Sequence, residues 1–154
     1  MTMSDLSIQR EIVIDAPADV VWRTITEPAQ IERWFVERVE LDLQPGGHGT
    51  FAFTDRAGEA VTAPIVVQTV DAPHRFAFRW GRVRGELPEP GDSVLVEFTL
   101  SPEGAERTRL RVVETGLDAA AWPDDEKSRY ADDHRNGWAE KLGRLAELFP
   151  AHAG

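Results

Sequence analysis

The stretch at residues 133–149, DHRNGWAEKLGRLAELF, decides the fold of this protein. Its apolar side chains Trp138, Leu142, Leu145 and Phe149 recur at offsets of 0, 4, 7 and 11. This spacing places them on one face of an α-helix, while the remaining positions are largely polar. The pattern therefore predicts an amphipathic helix that covers an apolar surface with one side.

The N-terminal boundary of this helix is expected at Asp132 or Asp133, since either side chain can cap a first turn. The residues before it, 116–131, include an acidic run and are predicted to form mainly a loop with one short helix. Pro150 lies beyond the last apolar residue of the stripe, where it ends the helix.

Between residues 36 and 114 the sequence alternates short apolar segments with turns rich in glycine and proline. Phe76, Phe78 and Trp80, for example, alternate with Ala77 and Arg79, which is typical of a β-strand. Successive strands separated by short turns indicate hairpins and an antiparallel sheet.

The N-terminal part predicts one strand and two short helices. The three isoleucines of residues 8–14 share one parity, which indicates a half-buried strand. Asp15 is the expected N-cap of the first helix, and Pro28 starts the second. Trp34 and Phe35 are assigned to the apolar face of this second helix.

The predicted order is one strand, two short helices, about six strands and one long helix, which is an α+β arrangement. An antiparallel sheet of this size must have one face covered, and only the C-terminal helix is long enough to cover it. We therefore expect the sheet to curve around that helix and leave a cavity between them. Residues 8–149 are predicted to form a single domain, with tails at residues 1–7 and 150–154.

The composition is that of an acidic globular protein without cysteine. The 154 residues include 17 Lys and Arg against 27 Asp and Glu, a formal net charge of −10. A negative field of this size repels nucleic-acid phosphates and anionic membrane surfaces. The sequence has no apolar run of the roughly 20 residues that a membrane span needs. It also has no secretory signal pattern, so we expect a cytoplasmic protein that binds no nucleic acid.

Six short stretches occur in order along residues 8–149: IVIDAPADVVW at 12–22, ERWF at 32–35, PGG at 45–47, FRW at 78–80, VETGL at 113–117 and NGW at 136–138. Together they resemble the START-like (SRPBCC) superfamily. Within it, they are most similar to bacterial homologues of the activator of the 90-kDa heat-shock protein ATPase.

The resemblance implies a helix-grip fold, also called Bet v-like, with a deep pocket between the long helix and a curved sheet. Members of the superfamily bind lipids, sterols, polyketides or plant hormones, and some are cyclases or aromatases. The sequence starts directly at the first strand, without the separate N-terminal domain through which the eukaryotic activator engages its chaperone. The resemblance therefore does not imply chaperone activation.

Apolar candidates for contact with a ligand lie on the second short helix, the strands and the long helix. Large aromatic side chains line apolar pockets and also fill cores, so ordinary packing is the alternative for each. The resemblance implies that the first two candidates lie at the mouth of the pocket. The six are Trp34, Phe35, Phe78, Trp80, Trp138 and Leu142.

Glu114 is the polar candidate for the same pocket. It shares parity with Leu110 and Val112, so strict alternation directs its carboxylate inward. A buried carboxylate needs hydrogen-bond partners or a proton. It is expected to orient a hydroxyl or amine of the ligand, or to act as a general base. The alternatives are a bulge at residues 112–113 that turns it to solvent, or a salt bridge with an arginine.

The histidines give no metal-site pattern. His134 follows Asp132 and Asp133, but adjacent positions on a helix do not share a face. No second histidine stands four residues away, as a helical zinc site requires. No Gly-x-Ser-x-Gly motif indicates a nucleophile. We therefore predict neither a metal nor a cofactor.

The function predicted from these features is binding of a small apolar ligand, a lipid or an aromatic molecule, by a monomer or homodimer. Two alternatives remain open. One is an enzyme of the polyketide cyclase or aromatase type that uses the same pocket. The other is an interaction module that acts on a chaperone or regulator as its protein partner.

Overall fold

The computed structural model describes residues 7–54, 57–81, 93–117 and 123–149. The strands in this part are β1 (Ile8–Ile14), β2 (Arg38–Leu41), β3 (His48–Thr54), β4 (Ala60–Asp71), β5 (Arg75–Gly81), β6 (Ser93–Pro102) and β7 (Thr108–Thr115). The helices are α1 (Ala18–Thr26), α2 (Pro28–Ile31) and α3 (Asp124–Glu147). The strands form one antiparallel sheet in the order β1-β7-β6-β5-β4-β3-β2.

The neighbouring strands β6 and β7 show how the sequence builds the buried face of the sheet. Along β7, Leu110, Val112 and Glu114 are buried, whereas the residues between them are more accessible. The register pairs Val112 with Phe98 and Glu114 with Val96 of β6, which are buried as well. Because side chains alternate across a strand, these two rows form one continuous inner face.

The long helix α3 covers this face. Trp138, Leu142 and Leu145 are buried, as the apolar stripe predicts. Trp138 packs edge-on against Phe98 of β6, with ring centroids 5.6 Å apart. The predicted α+β helix-grip fold, a curved antiparallel sheet around a C-terminal helix, is confirmed.

The start of α3 differs from the prediction. The helix begins at Asp124 with Pro123 as its N-cap, about two turns before Asp132 and Asp133. Its first turn consists of acidic residues, which are stabilised by the positive end of the helix dipole. An acidic run that suggested a solvated loop is therefore the first turn of a helix. Residues 118–122 lie outside the described residues.

Two details of the N-terminal part also differ. The N-cap of α1 is Pro17 and not Asp15. The carboxylate of Asp15 instead forms an ion pair with Arg107 at 3.0 Å. The helix α2 ends at Ile31, so Trp34 and Phe35 lie in the turn that follows it.

The proline and glycine residues at 88–91 predict a long loop over residues 81–92, of which residues 82–92 lie outside the described residues. Residues 55–56 lie outside them as well. Within the described part, no helix combines the length and the hydropathy that crossing a membrane requires. The same residues contain no group of three or more His, Cys, Asp or Glu side chains that could hold a metal ion.

Candidate functional site

A cavity of about 490 Å³ lies between α3, strands β3 and β5, and the turn after α2. Its volume is in the range of small-molecule sites. Four aromatic side chains, which we call the aromatic wall, form much of its lining: Phe35, Phe53, Trp80 and Trp138. The polar lining comes mainly from α3, through Asp133, His134, Glu140 and Lys141.

Gly137 keeps part of this space open. It lies on the cavity side of α3, one position before the buried Trp138. A Cβ atom placed on Gly137 would meet no heavy atom within 4 Å. A glycine inside a helix lowers helix stability by about 1 kcal/mol relative to alanine. Gly137 is therefore present although it is unfavourable for the helix.

The structure places three of the seven predicted ligand-contact residues on the cavity: Phe35, Trp80 and Trp138. The other four, Trp34, Phe78, Glu114 and Leu142, are 2% exposed or less and do not line it. Trp34, for example, is held in the core by a hydrogen bond from its Nε1 to the carbonyl oxygen of Thr24, at 3.0 Å. Contact between the first three residues and a ligand stays a prediction.

Ring contacts hold three members of the aromatic wall, Phe35, Trp80 and Trp138, in place. Phe35 stacks on Trp138 with centroids 5.2 Å apart and an interplanar angle of 21°. Phe35 also lies 6.2 Å from Trp80, and Phe51 packs edge-on beneath both Phe35 and Trp80. Such pairs each add about 0.5–1.5 kcal/mol beyond the burial of their area. The wall is therefore largely formed before any ligand enters.

Glu114 lies behind the wall, with its side chain 1% exposed. Its Oε2 accepts a hydrogen bond from the Tyr130 hydroxyl at 2.7 Å, and its Oε1 lies 2.8 Å from Nδ1 of His134. The same Oε1 accepts a hydrogen bond from Nε1 of Trp138. Trp80 joins this set, since its Nε1 donates to the Tyr130 hydroxyl at 2.8 Å. We call these five residues the Glu114 network.

The inward direction that parity predicted for Glu114 is correct. Strand β7 pairs with β1 and β6 without a register shift, so no bulge turns the side chain outward. Among the described residues, the basic side chain in contact with Glu114 is the imidazole of His134 and not an arginine. Tyr130, His134 and Trp138 are spaced by four residues, which places all three donors on one face of α3.

Tyr130 acts as a fixed donor in this network. Burial of its hydroxyl raises its pKa well above the ordinary value, and the neighbouring Glu114 charge raises the pKa further. Since the hydroxyl oxygen accepts a hydrogen bond from Trp80, its single proton is directed to Glu114. The network thus has a defined direction of donation.

His134 connects the network to the cavity. Its ring stacks on Tyr130, with centroids 3.7 Å apart, and meets Trp80 edge-on at 5.6 Å. Its side chain remains 27% exposed and lines the cavity. No described residue forms a hydrogen bond with its Nε2. The sequence pattern suggests only a metal-binding role for His134. Tyr130 falls in a predicted loop, so the sequence does not show that Tyr130 and His134 share one face of a helix.

The other charged groups at the cavity are Asp133, Glu140 and Lys141, all from α3. Burial lowers the pKa of Lys141, and the nearby charge of Arg144 lowers it further. The site therefore combines an aromatic surface, an imidazole whose Nε2 has no hydrogen-bond partner among the described residues, and a polar rim.

The fold and this cavity define the class: a START-like, helix-grip protein. More narrowly, a family model described as "Activator of Hsp90 ATPase homolog 1-like protein" matches residues 15–150, and the chain belongs to that family. The resemblance found in the sequence is thus confirmed. A comparison with proteins of curated function finds no match.

Three solved structures with the same fold differ in the fraction of their own length that matches this chain. DynU16, described as a putative protein in the dynemicin biosynthetic locus, is 27% identical with a TM-score of 0.70; the match covers 92% of this chain and 46% of DynU16. CalU16 from Micromonospora echinospora is 28% identical with a TM-score of 0.63, and the match covers 90% of this chain and 73% of CalU16. The Aha1 dimer from Colwellia psychrerythraea is 15% identical with a TM-score of 0.70, and the match covers 96% of this chain and 98% of that protein. At this identity the similarity shows the fold alone.

Proposed function

We propose that this protein binds a small, largely apolar aromatic molecule in the cavity between α3 and the sheet. The observation that carries the proposal is the preformed cavity of about 490 Å³, with its aromatic wall and its few polar groups on one helix. This combination is typical of ligand sites in which apolar burial supplies affinity and polar groups fix orientation.

Phe35, Trp80 and Trp138 are the proposed apolar contacts. Burial of apolar surface contributes about 25 cal/mol per Å², from which the cost of ordering the partners is subtracted. That cost is small on the protein side, because ring contacts and the Glu114 network already fix these side chains. His134 and Lys141 are the proposed polar contacts, whereas Glu114 acts through the residues it holds.

The comparisons support a small-molecule role only in a general way. DynU16, which shares the fold at 27% identity, is described as part of a biosynthetic locus. That description favours a small organic molecule over a macromolecule as the occupant of the cavity. The dynemicin pathway itself belongs to DynU16 and is not assigned to this chain.

The test compares Gly137→Leu with Gly143→Leu, using 2-naphthol as the probe in isothermal titration calorimetry. A leucine at 137 enters the cavity, whereas Gly143 is exposed on the same helix and a Cβ there also meets nothing within 4 Å. We expect Gly137→Leu to weaken binding by about tenfold or more, equivalent to about 1.4 kcal/mol.

The control Gly143→Leu is expected to bind 2-naphthol as the wild type does. Equal binding by all three proteins would place the probe elsewhere and contradict the proposal. Absence of saturable binding to the wild type would contradict it as well.

Two other uses of the fold make different predictions for the same pair of variants. An enzyme of the cyclase or aromatase type would lose turnover in Gly137→Leu together with binding, and the imidazole of His134 at the cavity favours this alternative. An interaction module for a chaperone or regulator would retain its protein partner in Gly137→Leu, because its contact surface would lie outside the cavity.

A further inference from the structure

We propose that His134 and Glu114 form an acid–base pair, in which Nε2 of His134 takes a proton from a molecule bound in the cavity. The substrate class is a small aromatic molecule with an acidic C–H or a phenolic O–H. This inference rests on the proposed function, since the base acts only on a molecule that the cavity holds.

The tautomer of His134 follows from the hydrogen bonds of the network. Indole N–H and the directed Tyr130 hydroxyl both donate to the Glu114 carboxylate, which is an acceptor when ionised. The remaining contact, between Nδ1 of His134 and Oε1 at 2.8 Å, then requires a proton on Nδ1. In the neutral ring this leaves Nε2 without a proton and able to accept one.

The ring is also held in the orientation that a base needs. Tyr130 covers one face at 3.7 Å, and the Nδ1 edge is turned towards Glu114. The side chain is 27% exposed and lines the cavity. Because Tyr130 and Glu114 occupy one face and the Nδ1 edge, we assign the Nε2 edge to the cavity side. A general base must meet its proton within hydrogen-bond reach, and the aromatic wall positions a bound molecule beside it.

Charged side chains surround the imidazole. The Glu114 carboxylate lies against Nδ1 at 2.8 Å and holds the ring in place. Asp133, Glu140 and Lys141 line the same cavity. Tyr130 stays protonated because its pKa is raised, so it adds no charge.

A suitable reporter reaction is the ring opening of 5-nitrobenzisoxazole, which needs only a base. Nε2 would take the proton from carbon 3, and the electrons of that C–H bond would form the nitrile. The N–O bond breaks at the same time, and its electrons leave on oxygen as a phenolate. The imidazolium then returns its proton to water, so no oxidant, reductant or second substrate is involved.

The kinetic test compares the wild type with His134→Gln. General bases typically contribute 10²–10⁴-fold, so we expect His134→Gln to lower kcat by about 100-fold or more, with a smaller effect on KM. His74→Gln is the control, since His74 is exposed in the turn before β5. It is expected to keep the wild-type rate. Equal rates for the wild type and His134→Gln would overturn the proposal.

The pH profile tests Glu114 as the positioning residue. The wild-type rate should rise with pH as one group loses its proton. In Glu114→Gln the carboxylate that orients the ring is lost, so the maximal rate should fall and the pH profile should change. An unchanged profile in a folded Glu114→Gln variant would remove Glu114 from the pair.

A second measurement does not depend on whether a Glu114 variant folds. Long-range ¹H–¹⁵N spectra of the wild type, with His134→Gln used to assign the peaks, report which ring nitrogen carries the proton. The Nδ1–H tautomer is expected, and the Nε2–H tautomer would overturn the proposal. If 2-naphthol binds and the reporter reaction is not accelerated, the acid–base pair is wrong while the binding function stands.

Discussion

Tyr130 links the sheet to the helix through a single oxygen atom. Its hydroxyl accepts a hydrogen bond from Trp80 of β5 and donates one to Glu114 of β7. Loss of its proton would place a phenolate 2.7 Å from a buried carboxylate, where like charges repel strongly. The network therefore depends on a protonated tyrosine.

This dependence can be measured directly, because Tyr130 is the only tyrosine in the chain. In a spectrophotometric titration, tyrosinate should appear in the folded protein only well above the ordinary pKa of 10.0. In the urea-unfolded chain it should appear near that ordinary value. Ionisation of the folded and unfolded chains at the same pH would contradict the described network.

The raised pKa of Tyr130 determines how the free energy of unfolding changes at high pH. Above a pH of about 10 the unfolded chain binds fewer protons at this position than the folded protein does, so the free energy of unfolding falls as pH rises. The contribution is fully present below the ordinary pKa of Tyr130. In Tyr130→Phe the fall in stability above this pH should be shallower than in the wild type.

At the scale of elements, alternation predicted the strands because one face of the sheet is buried and the other is not. It also predicted that Glu114 points inward, since parity is a local property of β7. The partners of Glu114 could not be predicted in the same way. They depend on the start of α3 at Asp124, which the acidic run concealed, and on how α3 lies across β7, which is set by packing between distant segments.

The helix α3 also carries two glycines whose replacement can be predicted. Neither Gly137 nor Gly143 has a heavy atom within 4 Å of an added Cβ. Alanine is more favourable than glycine inside a helix by about 0.8–1.0 kcal/mol. Gly137→Ala and Gly143→Ala should therefore each raise the free energy of unfolding by about 1 kcal/mol in urea titrations.

A destabilised Gly137→Ala variant beside a stabilised Gly143→Ala variant would contradict the open space described at Gly137. Stabilisation of both would show that glycine at 137 is kept for the volume it leaves and not for the fold.

At the scale of the whole molecule, the cavity lies where α3, strands β3 and β5 and the turn after α2 meet. Three of the seven residues expected at the ligand site line it, and four lie in the core or behind the wall. The sequence could not separate these groups. Phe78 and Trp80 share one strand parity, and Trp138 and Leu142 share one helical face, so neither pattern distinguishes the core from the cavity. A substitution at Leu142, which is 1% exposed, would therefore test the core, whereas a substitution at Gly137 tests the cavity.

The most direct test of binding in this cavity is the ¹H–¹⁵N spectrum of the indole N–H groups during titration with 2-naphthol. Trp80 and Trp138 line the cavity, whereas Trp22 packs on Phe76 in the core and serves as an internal reference. We expect the Trp80 and Trp138 peaks to shift and saturate together while the Trp22 peak stays in place. A titration in which neither cavity peak shifts, or in which Trp22 shifts as they do, would contradict binding between α3 and the sheet.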